Sequence, residues 1–189
     1  MSDNFRFDVI AAGFSGDSSV ALEALHHEDG TVRASALRAL ARIGTLTAEI
    51  LAPYIQDSHI ETRRTAVELA VPFPSVDVHQ CIDDADVFMA EMAAWCVGER
   101  TPASDIEIET LIDRTTSHEE AVVREACAAA LGSLGDERGL PAILAACSDK
   151  PAVRRRAILA LAPFEGEEVD AALQHALEDK DWQVRQNAE

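Results

Sequence analysis

Aromatic side chains are scarce. Six Phe, two Trp and one Tyr make up 5% of a 189-residue chain whose residues are 48% hydrophobic. A core must then come mainly from Ala, Leu, Val and Ile, which favours closely packed helices over sheets, since strands prefer β-branched and aromatic residues. Positive charge is also short. Sixteen Lys and Arg stand against 34 Asp and Glu, a net charge of −18, and only two of the cations are Lys. That balance repels phosphate backbones, so nucleic acid is not an expected partner. It suits cationic or protein partners, or a salt-adapted surface. No run approaches the ~20 apolar residues that span a bilayer. The opening "MSDNFRFDVIAAG" has neither the basic nor the long apolar part of a signal peptide. The cytoplasm is the expected location, with no membrane partner. Cys81, Cys96, Cys127 and Cys147 form no CxxC pair and read as reduced, mostly buried thiols. No GxSxG, GxxxxGK[ST], HExxH or EF-hand loop occurs, so no catalytic residue, cofactor or metal is expected.

What the chain does have is internal repetition. "TVRASALRAL" (31–40) is repeated as "VVREACAAAL" (122–131) and "AVRRRAILAL" (152–161), and "QVRQNAE" (183–189) begins it again. "ETRRTAVELA" (61–70) and "FMAEMAAWCV" (88–97) are weaker copies. The marker positions are Val32, Thr62, Met89, Val123, Val153 and Val184. Their spacing of about 30 residues is that of helical-repeat units. "ARIGT" (41–45) and "GSLGD" (132–136) follow their markers at one offset, and "GFSGD" (13–17) implies a degenerate unit before the first. Gly there ends one helix in the left-handed conformation and Asp or Thr caps the next. Each unit reads as helix A, a Gly turn, helix B and an acidic loop. The marker and the residues four, seven and eight later share one face, and stacked neighbours bury it.

The marker Val-Arg, the small residues and the Gly turn resemble HEAT repeats, in particular the short HEAT-like repeats of phycobilin lyase subunits. The likeness runs along nearly the whole chain. It implies an all-α fold, an α-α superhelix (α-solenoid) of about six stacked HEAT-like helical hairpins forming one domain over 1–189. It also implies that Arg33, Arg63, Arg124, Arg154 and Arg185 form a structural ladder, each bonding loop carboxylates such as Asp29 and Asp181 or helix-end carbonyls next door. Ala90 interrupts the ladder in the third repeat.

His27-Glu28 and His118-Glu119 sit at the same phase and raise the question of a metal. A HEAT-like enzyme, deoxyhypusine hydroxylase, holds two irons with repeated His-Glu pairs, but on helix A just after the Val-Arg. Those places here hold Ala34-Ser35, Arg64-Thr65, Glu91-Met92, Glu125-Ala126, Arg155-Arg156 and Gln186-Asn187, none of them His-Glu. Loop pairs three repeats apart lie far beyond the ~2 Å of a metal–His bond.

Repeat three departs from the others. One before, three after and six after the marker, positions expected to face out, it has Phe88, Met92 and Trp95, where repeat one has Thr31, Ser35 and Arg38. Val122, Ala126 and Ala129 continue the tendency in repeat four. A helix apolar nearly all round is buried or contacted. Either the segment 98–118 or a curved stack covers the stripe internally, or Phe88, Met92, Trp95 and Val122 form a partner-binding surface. Residues 65–99 hold seven Asp or Glu and no Lys or Arg, so a protein with a basic segment is the partner expected. The function read from the sequence is a non-catalytic protein–protein interaction module or scaffold. The alternatives are a HEAT-like enzyme or lyase accessory subunit acting on a protein or tetrapyrrole, and a structural segment of a larger assembly.

Overall fold

In the computed structural model, residues 2–100 and 102–189 are described, except for the side chains of Ser2 and Asp3. Twelve α-helices and no strand occur among the described residues. They pack as two compact units, Met1–Val78 and His79–Glu189.

In the first unit, α1 (Ser2–Ser15) and α2 (Ser18–Ala24) are the degenerate repeat ahead of the first marker. Gly16 turns the chain at φ 82° and Asp17 caps α2 by accepting the Ser19 N–H. The full repeat follows as α3 (Gly30–Ile43) and α4 (Ala48–Leu51), the latter extended by a 3-10 turn over Ala52–Gln56. Next comes α5 (Ile60–Glu68). Helix α1 packs on α3, and α3 on α5. Val32 and Thr62 are both fully buried. Thr62 keeps its place in the apolar stripe because its hydroxyl donates to the Gly30 carbonyl at 2.9 Å, satisfying a group that would otherwise be costly to bury.

The second unit continues with α6 (Val87–Gly98), α7 (Asp105–Ser117), α8 (Ala121–Leu134), α9 (Leu140–Ala146), α10 (Pro151–Ala160), α11 (Glu167–Ala176) and α12 (Trp182–Ala188). Its A helices stack in order, α6 on α8, α8 on α10 and α10 on α12. The markers Met89, Val123, Val153 and Val184 are 0–1% exposed. Gly98 in α6 and Gly132 in α8 meet Ala130 and Ala160 of the next helix so closely that an added Cβ would lie 2.8 and 2.6 Å from their Cα atoms. Gly132 lies inside α8, and Gly135 (φ 62°), in the same phase as Gly44 (φ 82°), makes the turn.

The helix B expected in the second repeat is not there. Pro72 and Pro74 lie in a run of turns, and the helical structure preceding α6 is a 3-10 turn, His79–Asp83, packed on α6. Proline removes a backbone donor and clashes with the preceding turn, so a regular helix does not cross this stretch. Cys81 is nonetheless buried within it.

The ladder arginines tie loops to helices. Arg33 grips both Asp57 oxygens and also donates to the carbonyls of His27 and Glu28. Arg124 does the same with Asp149, His118 and Glu119. Arg154 grips Asp179, its Nε and Nη2 at 2.8 and 2.7 Å. Arg63 and Arg185 donate to loop carbonyls. For Arg33, Arg124 and Arg154 the carboxylates are thus Asp57, Asp149 and Asp179 rather than Asp29 and Asp181. Those two serve as N-caps, accepting the N–H of Thr31 and Gln183 two residues on. Engaged as caps, Asp29 and Asp181 act on Arg33 and Arg154 through charge rather than through a hydrogen bond.

The ladder carries a pH signature. The Arg154 guanidinium and the Asp181 N–H outweigh burial and hold the Asp179 carboxyl at about 2. A folded value below the unfolded one, about 3.9, gives stability that is complete above the unfolded value and lost as pH falls toward the folded one. Arg154→Met is expected to remove much of this limb. Acid titrations of the two proteins, followed by helical circular dichroism, should diverge above pH 4 and converge toward pH 2.

Candidate partner-binding groove

The helix A face of the second unit opens into a groove of about 330 Å³ crossing α6, α8 and α10. Its walls are Glu91, Trp95 and Glu99 from α6 and its C-cap, Val122, Glu125, Ala126, Ala129 and Ser133 from α8, and Arg156 from α10. Gly98 and Ala130 line it as well. The small side chains that let α6 and α8 approach also keep its floor low.

Trp95 is 47% exposed. Glu91 stands one turn before it and Glu99 one turn after, the i±4 spacing that places all three on one stripe. Neither carboxylate has a cationic partner among the described residues. Glu125, by contrast, pairs with Arg156 at 3.6 Å. The groove is therefore an aromatic wall with a net negative rim.

Of the four residues singled out in the sequence, the structure brings Trp95 and Val122 into this groove. Phe88, 69% exposed, and Met92, half-buried, lie on α6 outside its lining. The segment 98–118 therefore leaves Phe88 and Trp95 uncovered. Ala126 and Ala129 both line the groove. In the first two repeats the middle position of the stripe does not face out, since Ser35 and Thr65 are buried. Glu91 and Glu99 were missed as site residues. Their spacing of four from Trp95 was the available signal.

The His-Glu pairs have a different explanation from metal. His27 Nδ1 accepts the Asp29 N–H at 3.0 Å, and His118 Nδ1 accepts the Glu120 N–H at 3.1 Å. Asp57 and Asp179 make the same bond to the backbone two residues on, from the same place in the loop. The histidines thus close a turn that aspartate closes elsewhere. The choice follows the neighbour: where the preceding A helix offers Arg33 or Arg154, the loop has Asp. His118 instead follows the repeat with Ala90, and His27 stacks on Phe5 of α1 with ring centroids 5.6 Å apart. Among the described residues, no three His, Cys, Asp or Glu are grouped to hold a metal ion.

Cys96, Cys127 and Cys147 carry little nucleophilic character. Burial pushes Cys96 and Cys147 up to about 11 and Cys127 up to about 12. Among the described residues, no helix is long and apolar enough to cross a membrane.

Residues 108–189 match the family model for HEAT repeats. No curated protein matches the chain in sequence. Among solved structures, the Escherichia coli protein YibA is 16% identical with a TM-score of 0.62, over 89% of this chain and 67% of that one. A designed armadillo repeat protein in complex with the peptide (KR)4 is 16% identical with a TM-score of 0.63, over 89% of this chain and 95% of that one. A computationally designed armadillo repeat protein for modular peptide recognition is 15% identical with a TM-score of 0.55, over 96% and 95%. At these identities the likeness is one of fold.

Proposed function

We propose that this chain, a HEAT-repeat protein, is a non-catalytic interaction module that captures a basic peptide segment of a protein partner along the α6/α8/α10 groove. The observation that carries the reading is Trp95, half-exposed between two unpaired carboxylates, Glu91 and Glu99. An indole face attracts a guanidinium or ammonium group through its ring quadrupole, and the aliphatic stem of Arg or Lys packs on the same ring. The flanking carboxylates accept the charge-assisted hydrogen bonds of the head group. Small residues on α8 leave room for an extended backbone. A net charge of −18 draws a cationic segment toward the surface before contact and sets its on-rate. The designed armadillo protein of similar fold was solved with a peptide of this chemistry, which makes a Lys-Arg peptide the natural probe.

Fluorescence anisotropy of a labelled Lys-Arg peptide tests it. The peptide is expected to bind the wild-type chain, and Trp95→Ala to weaken it by about tenfold or more, as for a central aromatic anchor. Trp182→Ala, which removes the other exposed indole, should leave affinity unchanged. Equal binding by wild type and Trp95→Ala would overturn the assignment.

A further inference from the structure

We propose that the groove between α1 and α3 is a second docking site, of opposite charge, which takes a short acidic peptide segment with an apolar side chain beside its carboxylate. The groove, about 180 Å³, is lined by Arg6, Ile10 and Phe14 of α1 and by Ser35, Arg38, Ala39 and Arg42 of α3. Three of the chain's 16 cationic residues meet here, and among the described residues no carboxylate lines the groove.

The arginines are held in different ways. Arg6 Nε donates to the Ser35 hydroxyl at 3.1 Å, and that hydroxyl donates to the Thr31 carbonyl at 2.9 Å. Arg42 lies over the Phe14 ring, 4.2 Å from its centroid. Neither has a carboxylate partner among the described residues. Arg38 is shared between Glu61 at 3.5 Å and Glu68 at 3.4 Å, long and exposed contacts that an incoming group displaces easily. The contact with Phe14 places the Arg42 guanidinium beside an apolar ring, and its N–H groups, which have no carboxylate partner among the described residues, suit bidentate recognition of a planar carboxylate.

Beside these donors, Phe14 is 71% and Ile10 40% exposed. The site therefore offers a carboxylate clamp next to an apolar shelf. A short peptide suits it better than a polyanion. With a screening length of about 8 Å at physiological salt, one carboxylate responds to the local arginines. A nucleic-acid strand extends over the surrounding negative surface of a chain with net charge −18 and is repelled.

The test uses the full chain and a labelled peptide of alternating Glu and Leu, compared with the same peptide carrying Gln for Glu and with a single-stranded oligonucleotide. The Glu peptide is expected to bind, the Gln peptide to bind about tenfold more weakly or worse, and the oligonucleotide not to compete. Arg6→Gln/Arg42→Gln, checked for unchanged helical circular dichroism, should weaken the Glu peptide by about tenfold. Trp95→Ala, in the other groove, should leave it unaffected, so this result stands or falls apart from that for the basic peptide. Failure of the Glu peptide to bind, equal binding of the Gln peptide, unchanged affinity in the double variant, a loss on Trp95→Ala, or displacement by the oligonucleotide overturns the proposal.

Discussion

Glu107→Ala is expected to destabilise the second unit by about 3–5 kcal/mol, the cost of removing one partner from a buried ion pair. Arg100 and Glu107 are 1% and 3% exposed and form an ion pair through Arg100 Nη1 and Glu107 Oε1. The other carboxylate oxygen accepts both the N–H and the hydroxyl of Ser104, each at 2.9 Å, closing the capping box at the start of α7. Alanine removes all three bonds and takes the Glu107 charge away from a buried guanidinium. Taking away both charges is a different experiment. Arg100→Met/Glu107→Leu leaves no ion to solvate, and its stability is expected to return to within about 1–2 kcal/mol of wild type, since apolar replacement of buried pairs is often neutral. Urea unfolding of the three proteins gives the cycle. A single variant costing under about 1 kcal/mol, or a double variant as unstable as the single, would show that the pair is solvated rather than buried.

Glu91→Lys/Glu99→Lys is expected to weaken the Lys-Arg peptide by about a hundredfold or more. Placing like charges where a cation docks costs several kcal/mol, and about 2.8 kcal/mol is a hundredfold in affinity. Glu99 is exposed, Glu91 half-buried, and neither is paired among the described residues. Thermal stability should therefore hold while affinity collapses. Anisotropy titration and a melting curve on the same preparation check both halves. Unchanged affinity would mean that the peptide docks elsewhere on the acidic surface.

The repeat was legible because its signal is local. Val32, Val123, Val153 and Val184 recur with small residues on one helical face, and that periodicity fixed the A helices. The helix B of the second repeat was not legible from phase alone, since Pro72 and Pro74 override it. The arginine ladder was legible as a set of cations, but its acceptors were not. Asp29 and Asp57 look alike in sequence, and only the loop geometry separates a cap from a rung. The coupling of His27 to Phe5, and the place of His118 after a repeat carrying Ala90, emerge only when adjacent repeats are laid side by side. Trp95 and Val122, which line the groove, stood out in the sequence because they are apolar where the first two repeats are polar. The cluster of Arg6, Arg38 and Arg42 escaped because α1 has no Val-Arg marker, so its register against α3 appears only once the two helices pack.

The most direct test of the account follows Trp95 itself. The chain has two tryptophans, and Trp182→Phe leaves Trp95 as the sole indole. Titration of this protein with a Lys-Arg peptide is predicted to change the intensity and position of Trp95 emission along a saturating curve, and Glu91→Lys/Glu99→Lys in the same background should abolish the change. Emission that stays constant while anisotropy reports a bound peptide would contradict the assignment of this groove as the docking site.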